Sequence, residues 1–143
     1  MARIGAGFTD NVFTVRKDSE GYETEITVLI DASDSMISSG GFNRVNRSMP
    51  ATVLAMAVAS AAFQVGVPCE IIQFSSDWFR VVKSPKEKPT APDVLARFAA
   101  TASHTSGFTP LSVSIVRAAC RLTARAPFKR RILFAVTDGG CDH

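Results

Sequence analysis

At 143 residues the chain has room for one domain, and a domain of that size buries roughly two-thirds of the surface its unfolded chain exposes. A composition of 46% hydrophobic and 20% charged residues excludes the disordered, collagen-like and low-complexity classes. The formal net charge of +3 is mild but unevenly placed, with a run of basic residues between Arg117 and Arg131.

Residues 1–24 are polar and Gly-containing, with a short strand predicted at Val12–Val15 and a turn at Ser19-Glu20-Gly21. They read as an N-terminal arm, and residues 25–143 as the domain proper. No apolar core of signal-peptide length stands before Asp10, so a cytoplasmic location is expected. Ile26-Thr27-Val28-Leu29-Ile30 is then a nearly continuous apolar run that stops at Asp31, the pattern of a central parallel strand covered on both faces. A polar loop, residues 34–48, follows it. Pro50 opens a helix that runs to Gly66, with Val53, Leu54, Met56, Val58 and Phe63 spread around it, so most of its circumference is expected to be buried. Ser60 and Gln64 interrupt this stretch, which falls short of a membrane span.

Val67–Ser75 and Trp78–Val82 read as two strands joined by the tight turn Ser75-Ser76-Asp77, an antiparallel hairpin. The Pro- and Lys-rich segment 83–92 is a loop, and Val94, Leu95, Phe98 and Ala102 give Asp93–Ala102 the spacing of an amphipathic helix. Thr109-Pro110 supplies an N-cap and a first-turn proline for a helix to Ala126, with Leu111, Ile115, Ala118, Ala119 and Leu122 on one face. Arg117, Arg121 and Arg125 form a stripe on another face and Lys129-Arg130-Arg131 follows, a pattern read as a solvated face in preference to a nucleic-acid patch. Ile132–Val136 is the last strand and ends in Thr137-Asp138-Gly139-Gly140. The three cysteines, Cys69, Cys120 and Cys141, are far apart and fit reduced thiols, with Cys69 and Cys120 expected as packing residues. Strands and helices in this alternation predict an α/β, Rossmann-like, doubly wound and mostly parallel sheet with one antiparallel edge hairpin.

In such sheets, sites form beyond the carboxyl ends of the strands. Asp31 and Asp138 both end strands and so belong to one edge. Asp31, Ser33 and Ser35 alternate, which lets an extended turn aim all three at one point, and Thr109 enters from the start of a helix. Two carboxylates and three hydroxyls suit a small hard cation, Mg²⁺ or Mn²⁺, whereas zinc asks for His or Cys. A cation held by so few anionic groups keeps positive charge with which to attract an Asp or Glu of a partner protein.

Asp31-Ala32-Ser33-Asp34-Ser35, Gly107-Phe108-Thr109-Pro110-Leu111 and Thr137-Asp138-Gly139 resemble, in order, the three parts of the metal-ion-dependent adhesion site of von Willebrand factor A (VWA) domains. The resemblance covers roughly residues 24–143. Gly21-Tyr22-Glu23-Thr24-Glu25-Ile26 and Gly66 to Phe74 leading to Trp78 are more particularly similar to the C-terminal VWA domain of the cobaltochelatase subunit CobT and its phage relatives. The resemblance implies a metal-dependent docking module in a cobaltochelatase-like or other AAA-ATPase-linked assembly, without catalysis of its own. It sets Asp34 where the family commonly has Gly. It also places two further strands after Asp138, so Ile132–Val136 is expected as an exposed edge, available for pairing with another copy if the chain is not a fragment.

The alternative is an Mg²⁺-dependent phosphotransfer or phosphatase enzyme with Asp31 as nucleophile, which lacks a Gly-rich phosphate loop. His104 reads as an exposed loop residue, and Cys141 with His143 as terminal residues of no assigned role.

Overall fold

A computed structural model describes residues 24–37, 46–125 and 130–139. The expected strand at Val12–Val15, most of the arm, and Cys141 and His143 lie outside the described residues. The elements run β1 (Thr24–Asp31), a 3₁₀ turn (Asp34–Met36), α1 (Ser48–Gln64), β2 (Cys69–Phe74), β3 (Phe79–Lys83), α2 (Pro92–Ser103), α3 (Leu111–Ala124) and β4 (Arg130–Val136). The sheet order is β3-β2-β1-β4. β1 lies parallel to both β2 and β4, and β3 closes one edge antiparallel to β2. The fold is therefore the α/β, mostly parallel, Rossmann-like sheet with an antiparallel edge strand that the sequence predicts.

Layering follows from the alternation of side chains along the strands. Val28, Ile30 and Ile71 face α1 and α2, whose Ala51, Ala55, Ala59, Val94 and Phe98 complete that core. Leu29, Ile72 and Phe74 face the opposite way, against Ala118 of α3, with Leu111 and Leu133 at the margin. Among the described residues β4 has β1 as its neighbour on one side and no strand on the other, and Phe134 is exposed there. No helix among the described residues is long and apolar enough to cross a membrane.

Several local expectations are corrected. α1 buries its small residues more deeply than its large ones: Val53, Leu54 and Phe63 are exposed, Met56 and Val58 are partly buried against the core, and Ala51, Thr52, Ala55, Ala59 and Ala62 are buried. A helix apolar all round has no preferred face by hydrophobicity alone, so the demand for close approach to the sheet and α2 decides, and alanine meets it. Thr109 does not cap α3, which has no side-chain cap and starts at Leu111; its hydroxyl is used elsewhere. Ile115 is on the exposed side of α3, and Cys120, expected to pack, is exposed, whereas Cys69 is buried.

The arginine stripe is the largest departure. Arg117 lies over the ring of Phe79, 4.4 Å from its centroid. Arg121 donates to Glu70 at 2.8 Å, and Arg125 donates to both Glu25 and Glu70. Glu25 and Glu70 are buried at the amino-terminal end of the parallel strands, on the α3 side, so the stripe neutralises internal carboxylates instead of forming a simple solvated face. Desolvation of Glu25 pushes its carboxyl above the ordinary value, and Arg125 opposes that rise.

Candidate metal centre at the carboxyl ends of the strands

Asp31 is the last residue of β1 and is fully buried. Its Oδ1 accepts the backbone N–H of Ser33 at 2.8 Å, a short Asx-type turn that redirects the chain as it leaves the sheet. Ser33 is extended, and the following 3₁₀ turn returns Met36 N to Ser33 O, so Ser33 and Ser35 project to the same side. Their hydroxyl oxygens are 3.0 Å apart.

The other members arrive from distant parts of the chain. The loop between α2 and α3 is hung on the strand ends: Ser106 N donates to Ala32 O, Asp34 N to Gly107 O and Ser76 N to Phe108 O. Gln73, buried in β2, holds the start of this loop by donating from Nε2 to the carbonyls of Thr101 and His104. The loop delivers Thr109, whose Oγ1 donates to Asp31 Oδ2 at 3.3 Å. From the end of β4, Thr137 Oγ1 donates to the same Oδ2 at 2.7 Å, and Asp138 Oδ1 accepts from Ser35 Oγ at 3.2 Å. Asp31, Ser33, Ser35, Thr109 and Asp138 are thus brought into one hydrogen-bonded cluster. His104 and Asp34 are exposed.

Sequence reasoning gave no role to three participants, although Thr137 and Gly107 stand within its motifs. Thr137 could have been found, because a residue just past a strand that ends beside Asp31 has to face that carboxylate or turn away. Arg47 carries no motif signal; a bridge between Ile37 and Asn46 sets it at the start of α1, where Nη1 donates to Ser35 O at 3.1 Å and to Asp138 Oδ2 at 3.3 Å. Gly107 is the third. Its φ of +69° is left-handed, and a Cβ there would fall 1.9 Å from Ser76 Oγ, the hydroxyl that accepts Phe108 N–H. The Gly107→Ala variant is expected to be less stable by about 2 kcal/mol, from the backbone strain and the displaced hydroxyl together. Urea unfolding measures this, and a loss under about 0.5 kcal/mol would show that the loop accommodates the methyl group at no such cost.

Among the described residues there is no group of three or more His, Cys, Asp or Glu side chains at metal-binding spacing. The donor set at this edge is instead two carboxylates completed by hydroxyls. Oxygen-only donors of that kind fit a hard cation. No family model matches the chain, and no curated protein matches it.

Proposed function

We propose that the chain is a VWA-type module that holds Mg²⁺ or Mn²⁺ at Asp31, Ser33, Ser35, Thr109 and Asp138 and docks a partner protein through an Asp or Glu side chain. The observation that carries this reading is a contrast within the fold. Three strand carboxylates are buried: Glu25, Glu70 and Asp31. At one end of the sheet, Glu25 and Glu70 are each ion-paired with arginine; at the other, among the described residues, Asp31 has hydroxyls and an N–H but no ion pair. Burying a charge without a counter-charge is costly, so an end built of one uncompensated carboxylate, a second carboxylate and three converging hydroxyls suits an added cation.

Asp31 and Asp138 supply the anionic groups, and the three hydroxyls complete the set directly or by orienting water. The bound ion supplies a positive centre for the partner's carboxylate. The protein's own share is orientation: Ser33 N and Thr137 Oγ1 fix the Asp31 carboxylate, and the 106–109 loop fixes Thr109. The phosphotransfer reading fits less well, because the sequence around Asp31 carries no Gly-rich phosphate loop of the P-loop kind and no lysine close to the aspartates. By its resemblance to CobT the partner is a component of a cobaltochelatase-like or other AAA-ATPase-linked assembly.

Mg²⁺ or Mn²⁺ at a hundredfold excess over its dissociation constant is expected to stabilise the wild type by about 2.7 kcal/mol, a rise in Tm of roughly 5–10 °C. Asp31→Ala should lose that gain. Equal metal-induced stabilisation of the two proteins by calorimetry would overturn the assignment.

A further inference from the structure

We propose that Arg47 is a charge gate on this site: its guanidinium is a resident cation on Asp138 that an incoming metal has to displace or tolerate. The inference rests on the metal reading above and adds to it a residue outside the ligand set. Arg47 Nη1 lies 3.3 Å from Asp138 Oδ2 and 3.1 Å from the Ser35 carbonyl, so it bridges two of the segments that build the site. Asp138 Oδ1 meanwhile accepts from the Ser35 hydroxyl. One carboxylate is therefore shared, through its two different oxygens, between a proposed ligand and a guanidinium, so that a dication on the Oδ1 side meets a second positive charge on the same group.

The two ends of this ion pair differ in exposure. Asp138 is 8% exposed at its side chain and Arg47 49%. The carboxylate is fixed in the site while the arginine reaches in from solvent, and the arginine is the partner free to leave. Beside it lies a groove of about 270 Å³ lined in part by Met36, Pro50, Leu54 and Val136, which gives the aliphatic stem of Arg47 an apolar surface to lie on once the headgroup withdraws. In the gated state Arg47 sets a positive charge on Asp138 that an incoming ion meets, and in the open state the headgroup has withdrawn from that carboxylate.

The consequence is an affinity set below what the ligands alone would give. Removing the charge at Arg47 should tighten metal binding, because a unit charge a few ångströms from a dication in a mostly solvated setting is worth about three- to tenfold in affinity. The effect has to weaken with salt, since the screening length falls from about 10 Å at 0.1 M to about 3 Å at 1 M. A residue that merely caps or braces α1 would show neither behaviour.

The test is Mn²⁺ binding to the full chain, followed by the loss of the free-ion paramagnetic resonance signal, for wild type, Arg47→Gln and Arg47→Lys at low and high salt. Arg47→Gln is expected to bind about three- to tenfold more tightly than wild type at low salt, with the gap closing at high salt, and Arg47→Lys to stay near wild type. Binding by Arg47→Gln that is equal to or weaker than wild type overturns the gate. If Arg47→Gln fails to fold by circular dichroism, Arg47→Met and the salt dependence of Arg47→Lys carry the same comparison. Asp31→Ala in the Arg47→Gln background separates the two ideas: loss of binding there places the ion at this site, whereas tight binding that survives it removes the metal reading and the gate with it. Wild type and Arg47→Gln both failing to bind overturns both.

Discussion

Replacing Arg125 with methionine is expected to lower stability by about 3–5 kcal/mol, because truncating one member of a buried ion pair leaves the other charge buried and unpaired. Arg125 is the shared partner of Glu25 and Glu70, and Glu70 keeps Arg121 when Arg125 is gone. The loss therefore falls mainly on Glu25, one of whose oxygens already has no hydrogen-bond partner. The pH dependence has a definite sign. Burial raises the folded carboxyl above its ordinary value of 4.5 and Arg125 is the main influence lowering it, so the substitution raises it further. A carboxyl that holds its proton more tightly when folded adds stability below the unfolded value and loses it as pH rises through the folded value. The deficit of Arg125→Met relative to wild type should thus be widest at neutral pH and shrink as pH falls toward 4.5. Adding Glu25→Gln should recover much of it at neutral pH. Denaturant unfolding of the two variants across pH measures this, and a small, pH-independent loss would mean that water reaches Glu25.

Phe74→Ala is the second large effect. Phe74 is fully buried at the end of β2, packed with Leu29, Ile72 and Ala118 on the α3 side, and it stands opposite Asp31 in the parallel register. Deleting its ring leaves a cavity and should cost about 3–5 kcal/mol, a large share of the roughly 5–15 kcal/mol that holds a domain together. Its carbonyl, which accepts Ala32 N–H, survives the substitution. The variant should therefore melt roughly 10 °C lower or more while keeping the strand-end cluster in place when folded. Val53→Ala on the exposed face of α1 is the contrast, expected within about 0.5 kcal/mol of wild type. Comparable losses from the two substitutions would contradict the burial described for α1.

These two sites also mark what was legible in the sequence. The uninterrupted run Ile26–Ile30 ending in Asp31 announces a central parallel strand, and Ser75-Ser76-Asp77 between two β-rich runs announces the hairpin; both follow from short-range pattern and both hold. The gathering of Asp31, Ser33, Ser35, Thr109 and Asp138 was legible for the same reason, since each stands at the end of an element whose direction the pattern fixes. The buried face of α1 was not legible, because Val, Leu, Met, Ala and Phe all satisfy a hydrophobicity pattern and the choice of alanine is made by steric fit to the sheet. The roles of Arg121 and Arg125 were hidden differently: their partners Glu25 and Glu70 are 100 and 55 positions from Arg125, and a helix-face pattern says nothing of residues that distant. Arg47 belongs with them, set beside Asp138, 91 positions away, by tertiary structure alone.

The same separations bear on how the molecule comes into being. Asp31 meets Thr109 and Thr137 across 78 and 106 positions, with β1 inside the sheet and both its parallel neighbours, β2 and β4, later in the chain. Loops of that length close at an entropic cost that local hydrogen bonds do not offset, and topologies dominated by such pairings assemble slowly. The cluster around Asp31 is therefore incomplete in any species in which β4 has yet to dock, because Thr137 and Asp138 arrive with that strand. A spectroscopic reporter placed at Thr137 would time the completion of the sheet, whereas one on the β2–β3 hairpin would time its beginning.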